Sequence, residues 1–217
     1  MSLITEKIEK VDIEALPIGG FDGPIAVTDD ISVAHDMMTE IVNMCKVVGF
    51  DTETRPNFQR GEHHKVALLQ VCDGNKAWLF RLCNIGLTPE IQSFFANPNI
   101  LKVGLSLGDD IRALRQRGYI EPQNIIDVQN VAKEYGIPDA SLAKLAARTL
   151  GIKISKRQRV SNWAAPTLTS AQIHYAATDA WVTLQIYNEL KQGNLMLPHI
   201  ENLVRLRLAE ASKPTTE

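Results

Sequence analysis

Long apolar runs are missing from this 217-residue chain. No stretch approaches the roughly 18 residues that a membrane-spanning helix requires, and the N-terminus lacks a signal-peptide pattern. Cysteine is scarce. Cys45, Cys72 and Cys83 are odd in number and have no metal-ligand spacing, so they read as reduced core thiols rather than a disulfide framework. An excess of one charge is also missing: 23 basic against 25 acidic residues gives a formal net charge of -2, which excludes a broadly basic protein but leaves room for a local basic patch. Gly104 and Gly108 are not followed by the Gly-Lys-Ser/Thr ending of a phosphate loop. There is no internal repeat and no clear second domain. With 45% hydrophobic and 22% charged residues, the composition is that of an ordinary soluble globular domain, expected to be cytoplasmic.

What is present is organised around Val47-Val48-Gly49-Phe50-Asp51-Thr52-Glu53-Thr54. An apolar, β-branched run leads into carboxylates at i and i+2. On a strand these share a face, about 6–7 Å apart along the chain. Acids are depleted in strands and costly to bury unpaired, so two on one face ask for a cation. The alternative is that the strand ends at Phe50 and the acids begin a solvated loop.

The rest of the chain alternates. Residues 1–24 carry Pro17, Gly19, Gly20, Gly23 and Pro24 and read as an irregular leader. Ile25-Ala26-Val27 is a strand candidate, and Asp30 can cap a helix over about residues 31–46. Val66–Cys72 and Ala77–Leu82 flank Asp73-Gly74-Asn75, a hairpin signal. Leu87–Phe95 suggests a helix, Ile100–Leu105 a buried strand, and residues 109–117 a helix ended by Gly118. Ile125-Ile126-Asp127-Val128 is a short last strand, followed by helices near 129–135, 141–150, 170–191 and 197–210. A three-strand meander followed by strand–helix alternation indicates an α/β fold, with a mixed sheet flanked by helices on both faces.

Thr169-Ser170-Ala171-Gln172 fits a capping box, with Leu168 and Ile173 as a hydrophobic staple. That sets the phase of the helix which follows, placing Tyr175 and Asp179 on one face, about 6 Å apart along the axis. Spacing alone also allows a core tyrosine beside an exposed acid. Asp109 and Asp110 close the stretch that begins at Lys102-Val103-Gly104, where one Asp commonly caps a helix.

Taken in order, Phe50-Asp51-Thr52-Glu53-Thr54, Lys102-Val103-Gly104 through Asp110 and Leu114, and Tyr175-Ala176-Ala177-Thr178-Asp179-Ala180 resemble the three exonuclease motifs of the DEDD superfamily. The tyrosine form is the closer match, as in ribonuclease D and the Werner-type exonuclease domain. The resemblance runs from about residue 25 to 192 and takes in Lys65-Val66-Ala67-Leu68-Leu69-Gln70 and Ser161-Asn162-Trp163. It implies a ribonuclease-H-like fold and two divalent cations. It further implies that Asp51 bridges both ions, that Glu53 and Asp179 hold the first, that Asp110 serves the second through water, and that Tyr175 orients the attacking water. Asp110 rather than Asp109 matches the family position, which leaves Asp109 as a cap or surface acid.

Physical chemistry supports the same expectation. If four carboxylates converge, each like-charged pair at about 5 Å costs roughly 3 kcal/mol at an effective dielectric near 20. Several such pairs rival a whole domain's stability of about 5–15 kcal/mol. Mg²⁺ or Mn²⁺ suits such hard oxygen ligands and removes the problem. His174 also satisfies the histidine pattern of the sister group, five residues before Asp179. It lies about 100° around the helix from Tyr175, and Tyr175 is preferred.

Lys153, Lys156, Arg157 and Arg159 precede the last motif, as either a solvated loop or a basic flap that contacts phosphates. Trp163 either stacks a base or anchors that loop. His63, His64 and His199 have no ligand-like partners and are read as surface residues. Arg112 stands where a Werner-type domain carries an aromatic, which withholds any inference about engaging a duplex end. The expected layout is a leader over 1–24, a 3′–5′ exonuclease domain over 25–210 and a polar tail over 211–217. The expected substrate is DNA or RNA with a single-stranded or frayed 3′ end, hydrolysed to nucleoside 5′-monophosphates. The competing expectation is a catalytically silent nucleic-acid-binding module on the same fold. A third expectation is the nuclease subunit of a larger assembly, whose partner is expected to come in trans.

Overall fold

The acid-bearing stretch is a strand through to Thr54, in the interior of a mixed sheet. The structure, a computed structural model, describes residues 3–57 and 61–212, so residues 213–217 of the expected tail lie outside the described residues. In chain order the elements are α1 (Lys10–Glu14), β1 (Ile25–Thr28), α2 (Ile31–Met44), β2 (Val47–Thr54), β3 (Val66–Cys72), β4 (Ala77–Phe80), α3 (Leu82–Ile85), α4 (Pro89–Ala96), β5 (Leu101–Gly104), α5 (Leu107–Arg115), β6 (Ile125–Asp127), α6 (Val128–Glu134), α7 (Leu142–Leu150), α8 (Ser170–Lys191) and α9 (Pro198–Ala211). Among the described residues no helix is long and apolar enough to cross a membrane.

The chain divides into two compact units. The larger comprises Gly20–Val128 and Ser155–Gln185. Its sheet runs β1-β4-β3-β2-β5-β6. β2, β3 and β4 form the antiparallel meander, while β1–β4, β2–β5 and β5–β6 pair in parallel. The β3–β4 turn is closed by Asp73, whose Oδ1 accepts from the backbone N–H groups of Asn75 and Lys76 at 2.8 Å each. Strand alternation sorts the side chains. Val48 and Phe50 of β2, with Leu69 and Val71 of β3, join Met38, Ile41, Phe94, Phe95, Ile111 and Leu114 from the helices on one side. Leu68, Cys72 and Leu79 pack with Trp163, Leu168, Ala176, Ala177 and Ala180 on the other. Helices therefore cover both faces, as the sequence pattern indicates.

Local chemistry fixes the helix ends. Asp30 Oδ1 accepts from the N–H groups of Ser32 and Val33, capping α2 as expected. At the start of α8, Thr169 N–H donates to Gln172 Oε1 at 3.0 Å and Gln172 N–H to Thr169 Oγ1 at 3.2 Å, which completes the capping box. Helix α5 departs from expectation. It begins at Leu107 rather than 109, and neither Asp109 nor Asp110 caps it. The backbone N–H groups of Ser106 and Leu107 instead donate to the two oxygens of Asp127, at 3.0 Å each. The reason is the backbone at Ser106, held at φ 60, which turns both N–H groups towards the end of β6. The helix also stops at Arg115, before Gly118 is reached.

The smaller unit comprises the residues up to Gly19, Gln129–Ile154 and those from Ile186 onward. Ile8, Leu16, Ala147, Ile200 and Val204 form its core. Buried Arg148 donates to the carbonyls of Ile4 and Glu6, at 3.0 and 2.5 Å. The leader segment, read from sequence as irregular over 1–24, thus contains α1, and its described residues up to Gly19 are tied into this packed unit, while those from Gly20 belong to the larger one.

Candidate active site

Four elements of the larger unit supply the sequence-marked acids and the side chains that hold them. Asp51 and Glu53 leave β2 on the α8 side of the sheet, as the two-residue period requires. Asp179, one turn beyond Tyr175, comes from α8. One carboxylate oxygen from each of Asp51, Glu53 and Asp179 lies within 4.8 Å of the others. The elements meet this closely because Gly49 has no side chain: a Cβ there would sit 2.1 Å from the carbonyl oxygen of Ala180.

Asp110 arrives from the first turn of α5, outside that trio but close enough to repel both Asp51 and Glu53. Its Oδ1 accepts from the hydroxyl of Thr52, which points to the α5 side of the sheet. Asp109, by contrast, is exposed and pairs with Arg112 at 2.7 Å, so it is a surface acid.

Electrostatics follow from burial. Glu53 and Asp179 are 9% and 6% exposed. Burial first, then repulsion by Asp110, Asp179 and Glu53, lifts Asp51 well above the carboxylate range. Burial, then Asp179 and Asp110, pushes Glu53 up to about 9, against a smaller opposing effect of Arg159. Burial pushes Asp179 up to about 7, although its hydrogen bond from Tyr175 opposes the rise. Asp110 is raised by burial and held back by Thr52. Without a cation these acids resist ionising together. The set contains only hard oxygen donors, which is the chemistry of a divalent-cation site.

Tyr175 is half-buried, hydrogen-bonded to Asp179, and its phenol is raised by burial and by the surrounding acids. Its ring lies 5.9 Å from that of Trp163, which is fully buried. The anchoring alternative for Trp163 is therefore the one that the geometry carries. His174 is exposed and turned towards Gly20, where a Cβ would meet its Nε2 at 2.8 Å. Lys156, Arg157 and Arg159 are exposed in the segment before Trp163, and Arg159 is near enough to Glu53 to favour its ionised form. Lys153 is separate from them, its Nζ donating to the Glu14 carbonyl in the smaller unit.

Sequence reading assigned no role to three supports, although Gln70 falls in a stretch that the family resemblance takes in. Gln70 lies opposite Asp51 in the β2–β3 register and donates to it at 3.3 Å. Buried Arg81 donates to the carbonyls of Ala165 and Pro166, pinning the loop that follows Trp163. Asp127 fixes the start of the helix that carries Asp110. The signal available for Gln70 was a lone amide in an otherwise apolar strand.

A mixed sheet with acids on a central strand and on the helix facing it is the ribonuclease-H-like arrangement. The Aedes aegypti Nibbler EXO domain shares this fold with a TM-score of 0.72 at 21% identity, over 86% of this chain and 99% of that one. Within that class the chain belongs to the 3′–5′ exonuclease family, whose profile matches residues 26–193. It is similar to the mouse bifunctional 3′-5′ exonuclease/ATP-dependent helicase WRN, 32% identical over 83% of this chain and 13% of the relative. It is also similar to ribonuclease D of Haemophilus influenzae, 31% identical over 71% of this chain and 39% of the relative. The chain thus spans well under half the length of both curated relatives.

Proposed function

We propose that this chain is a 3′–5′ exonuclease that hydrolyses phosphodiester bonds from the 3′ end of a nucleic acid and releases nucleoside 5′-monophosphates. One observation carries the reading. Three carboxylates from β2 and α8, two buried and that of Asp51 half-buried, meet within 4.8 Å, beside a tyrosine bonded to one of them. A protein without turnover has no need to hold such acids together, because the repulsion costs stability.

Asp51, Glu53, Asp179 and Asp110 would hold two divalent cations, Mg²⁺ or Mn²⁺, with Asp51 shared, Glu53 and Asp179 serving one and Asp110 the other. When bound, such ions supply the charge that makes water nucleophilic near neutral pH and that stabilises the leaving oxygen. Tyr175 orients the attacking water. With its phenol raised, it donates a hydrogen bond rather than accepting a proton. Lys156, Arg157 and Arg159 contact substrate phosphates and add salt-dependent affinity. A single-stranded or frayed end, DNA or RNA, fits best because the scissile linkage must reach recessed acids. Residues 25–210 form the exonuclease domain, preceded by 1–24 and followed by a polar tail over 211–217. Three unpaired cysteines suit a reducing, cytoplasmic setting.

The test is parallel digestion of end-labelled single-stranded DNA and RNA with Mg²⁺, Mn²⁺ or EDTA, using Asp51→Ala as control. Metal-dependent shortening from the 3′ end, absent in the control, is expected. Binding without shortening would leave a silent nucleic-acid-binding module.

A further inference from the structure

Every residue of β3 is buried, and six of the seven are apolar or cysteine. The exception is Gln70, which is 0% exposed. An amide in such a place loses its water and needs both ends paired. Only one end is. Nε2 donates to Asp51 Oδ2 at 3.3 Å, while Oε1 is buried with no partner among the described residues. As a core-filling residue Gln70 is therefore a poor choice. An apolar side chain of the same length would fill the space without an orphan acceptor.

Geometry supplies the reason for an amide. Gln70 and Asp51 are direct partners in the antiparallel β2–β3 register and stand on the same face of the sheet. Side chains directly opposite one another on a strand pair are about 5 Å apart at Cβ, so they restrict one another's rotamers. The amide orientation follows from the acceptor. An Asp51 that holds a cation is ionised and offers lone pairs and no proton, so only the NH₂ end can then face it. A carboxylate that must serve two cations has to be held in one rotation about its Cβ–Cγ bond. Otherwise each binding event orders it anew, at a cost in affinity.

We propose that Gln70 is a positioning residue which fixes the carboxylate plane of Asp51 for divalent-cation binding, and that its buried amide is a cost to the metal-free fold. The proposal rests on the reading of Asp51, Glu53 and Asp179 as a cation site.

The test uses the full chain, Mn²⁺ alone as the probe, and two variants, Gln70→Met and Gln70→Leu. Mn²⁺ affinity is measured by calorimetry or by electron paramagnetic resonance of free Mn²⁺. Metal-free melting temperature is measured alongside in EDTA. Both variants are expected to bind Mn²⁺ about 10- to 100-fold more weakly, the usual loss when the partner of a ligand is removed. Their metal-free melting temperatures are expected to equal or exceed that of the unaltered protein. Unchanged Mn²⁺ affinity in a folded variant overturns the proposal. A lowered metal-free melting temperature in both variants also overturns it, because Gln70 would then be part of the core. Failure of the unaltered protein to bind Mn²⁺ is a different result, which removes the cation site itself.

Discussion

The hydroxyl of Thr52 donates to the Asp110 carboxylate from the face of β2 opposite to the one that carries Asp51 and Glu53. One strand thus addresses three of the acids: Asp51 and Glu53 by bearing them and Asp110 by tethering it. Thr52→Val keeps the β-branched shape and removes the donor. A hydrogen bond to a charged group is worth about 1.5–3 kcal/mol, part of which is recovered by solvent near α5. Turnover with Mg²⁺ is expected to fall roughly five- to tenfold, while the melting temperature changes by no more than about 3 °C. Unaltered turnover would remove Thr52 from the machinery.

Tyr175 and His174 are neighbours in sequence, and only the first reaches the acids. Tyr175→Phe is expected to cut turnover about 100-fold, the low end of the roughly 10²–10⁴-fold that a group handling the reacting water contributes. His174→Ala is expected to stay within about twofold, as is usual for an exposed residue outside the reacting centre. Steady-state kinetics on one labelled oligonucleotide decide between them. The reverse order of damage would transfer the role to the histidine.

The acids also link stability to pH. Glu53 and Asp179 have ordinary values of 4.5 and 3.8 but are raised to about 9 and about 7 in the metal-free fold, chiefly by burial. The folded state therefore binds protons that the unfolded chain has released. Their stabilising contribution is complete below about pH 4 and disappears as pH rises through 7 to 9. In EDTA the melting temperature is expected to drop between pH 6 and pH 9. The stabilisation given by Mg²⁺ at a roughly saturating concentration of about 10 mM is expected to grow over the same interval. A constant Mg²⁺ increment across that range would contradict this linkage.

Lys102 behaves in the opposite sense. Its side chain is 0% exposed, donates to the Asn97 carbonyl at 2.6 Å, and lies 5.5 Å from the centre of the Phe94 ring. Burial lowers its ammonium from 10.5 to about 8. Below pH 8 the fold bears the cost of a buried charge, and that cost is relieved as pH rises from 8 towards 10.5. Lys102→Met is expected to melt at or above the unaltered protein at pH 7, with the difference shrinking by pH 9. A Lys102→Met protein that is markedly less stable at pH 7 would show that the Asn97 hydrogen bond outweighs the charge.

The sequence made some of this legible and hid the rest for identifiable reasons. Period-two alternation placed Asp51 and Glu53 on one face, and the capping box at Thr169 phased Tyr175 with Asp179. Both are local rules, and both hold. That the two pairs meet is not a local property. It came from the ordered resemblance to a family, because no spacing tells which helix lies across which strand. Asp127 and Ser106 are 21 residues apart, so the capping of α5 could not be read from the residues beside it. Helices α1 and α3, of five and four residues, are too short to show a period. Gln70 and Lys102 look alike in sequence, as polar residues on buried strands. Only the partner each one reaches separates a support of the site from a burden on the core.

Gly49 carries a last consequence. Strand β2 and helix α8 touch there main chain to main chain, two residues before Asp51 and one after Asp179. A contact made of side chains can be repacked by rotamer changes, whereas this one has no such slack. The approach of β2 to α8 is therefore gauged by peptide geometry, and any side chain at position 49 would force the two acid-bearing elements apart.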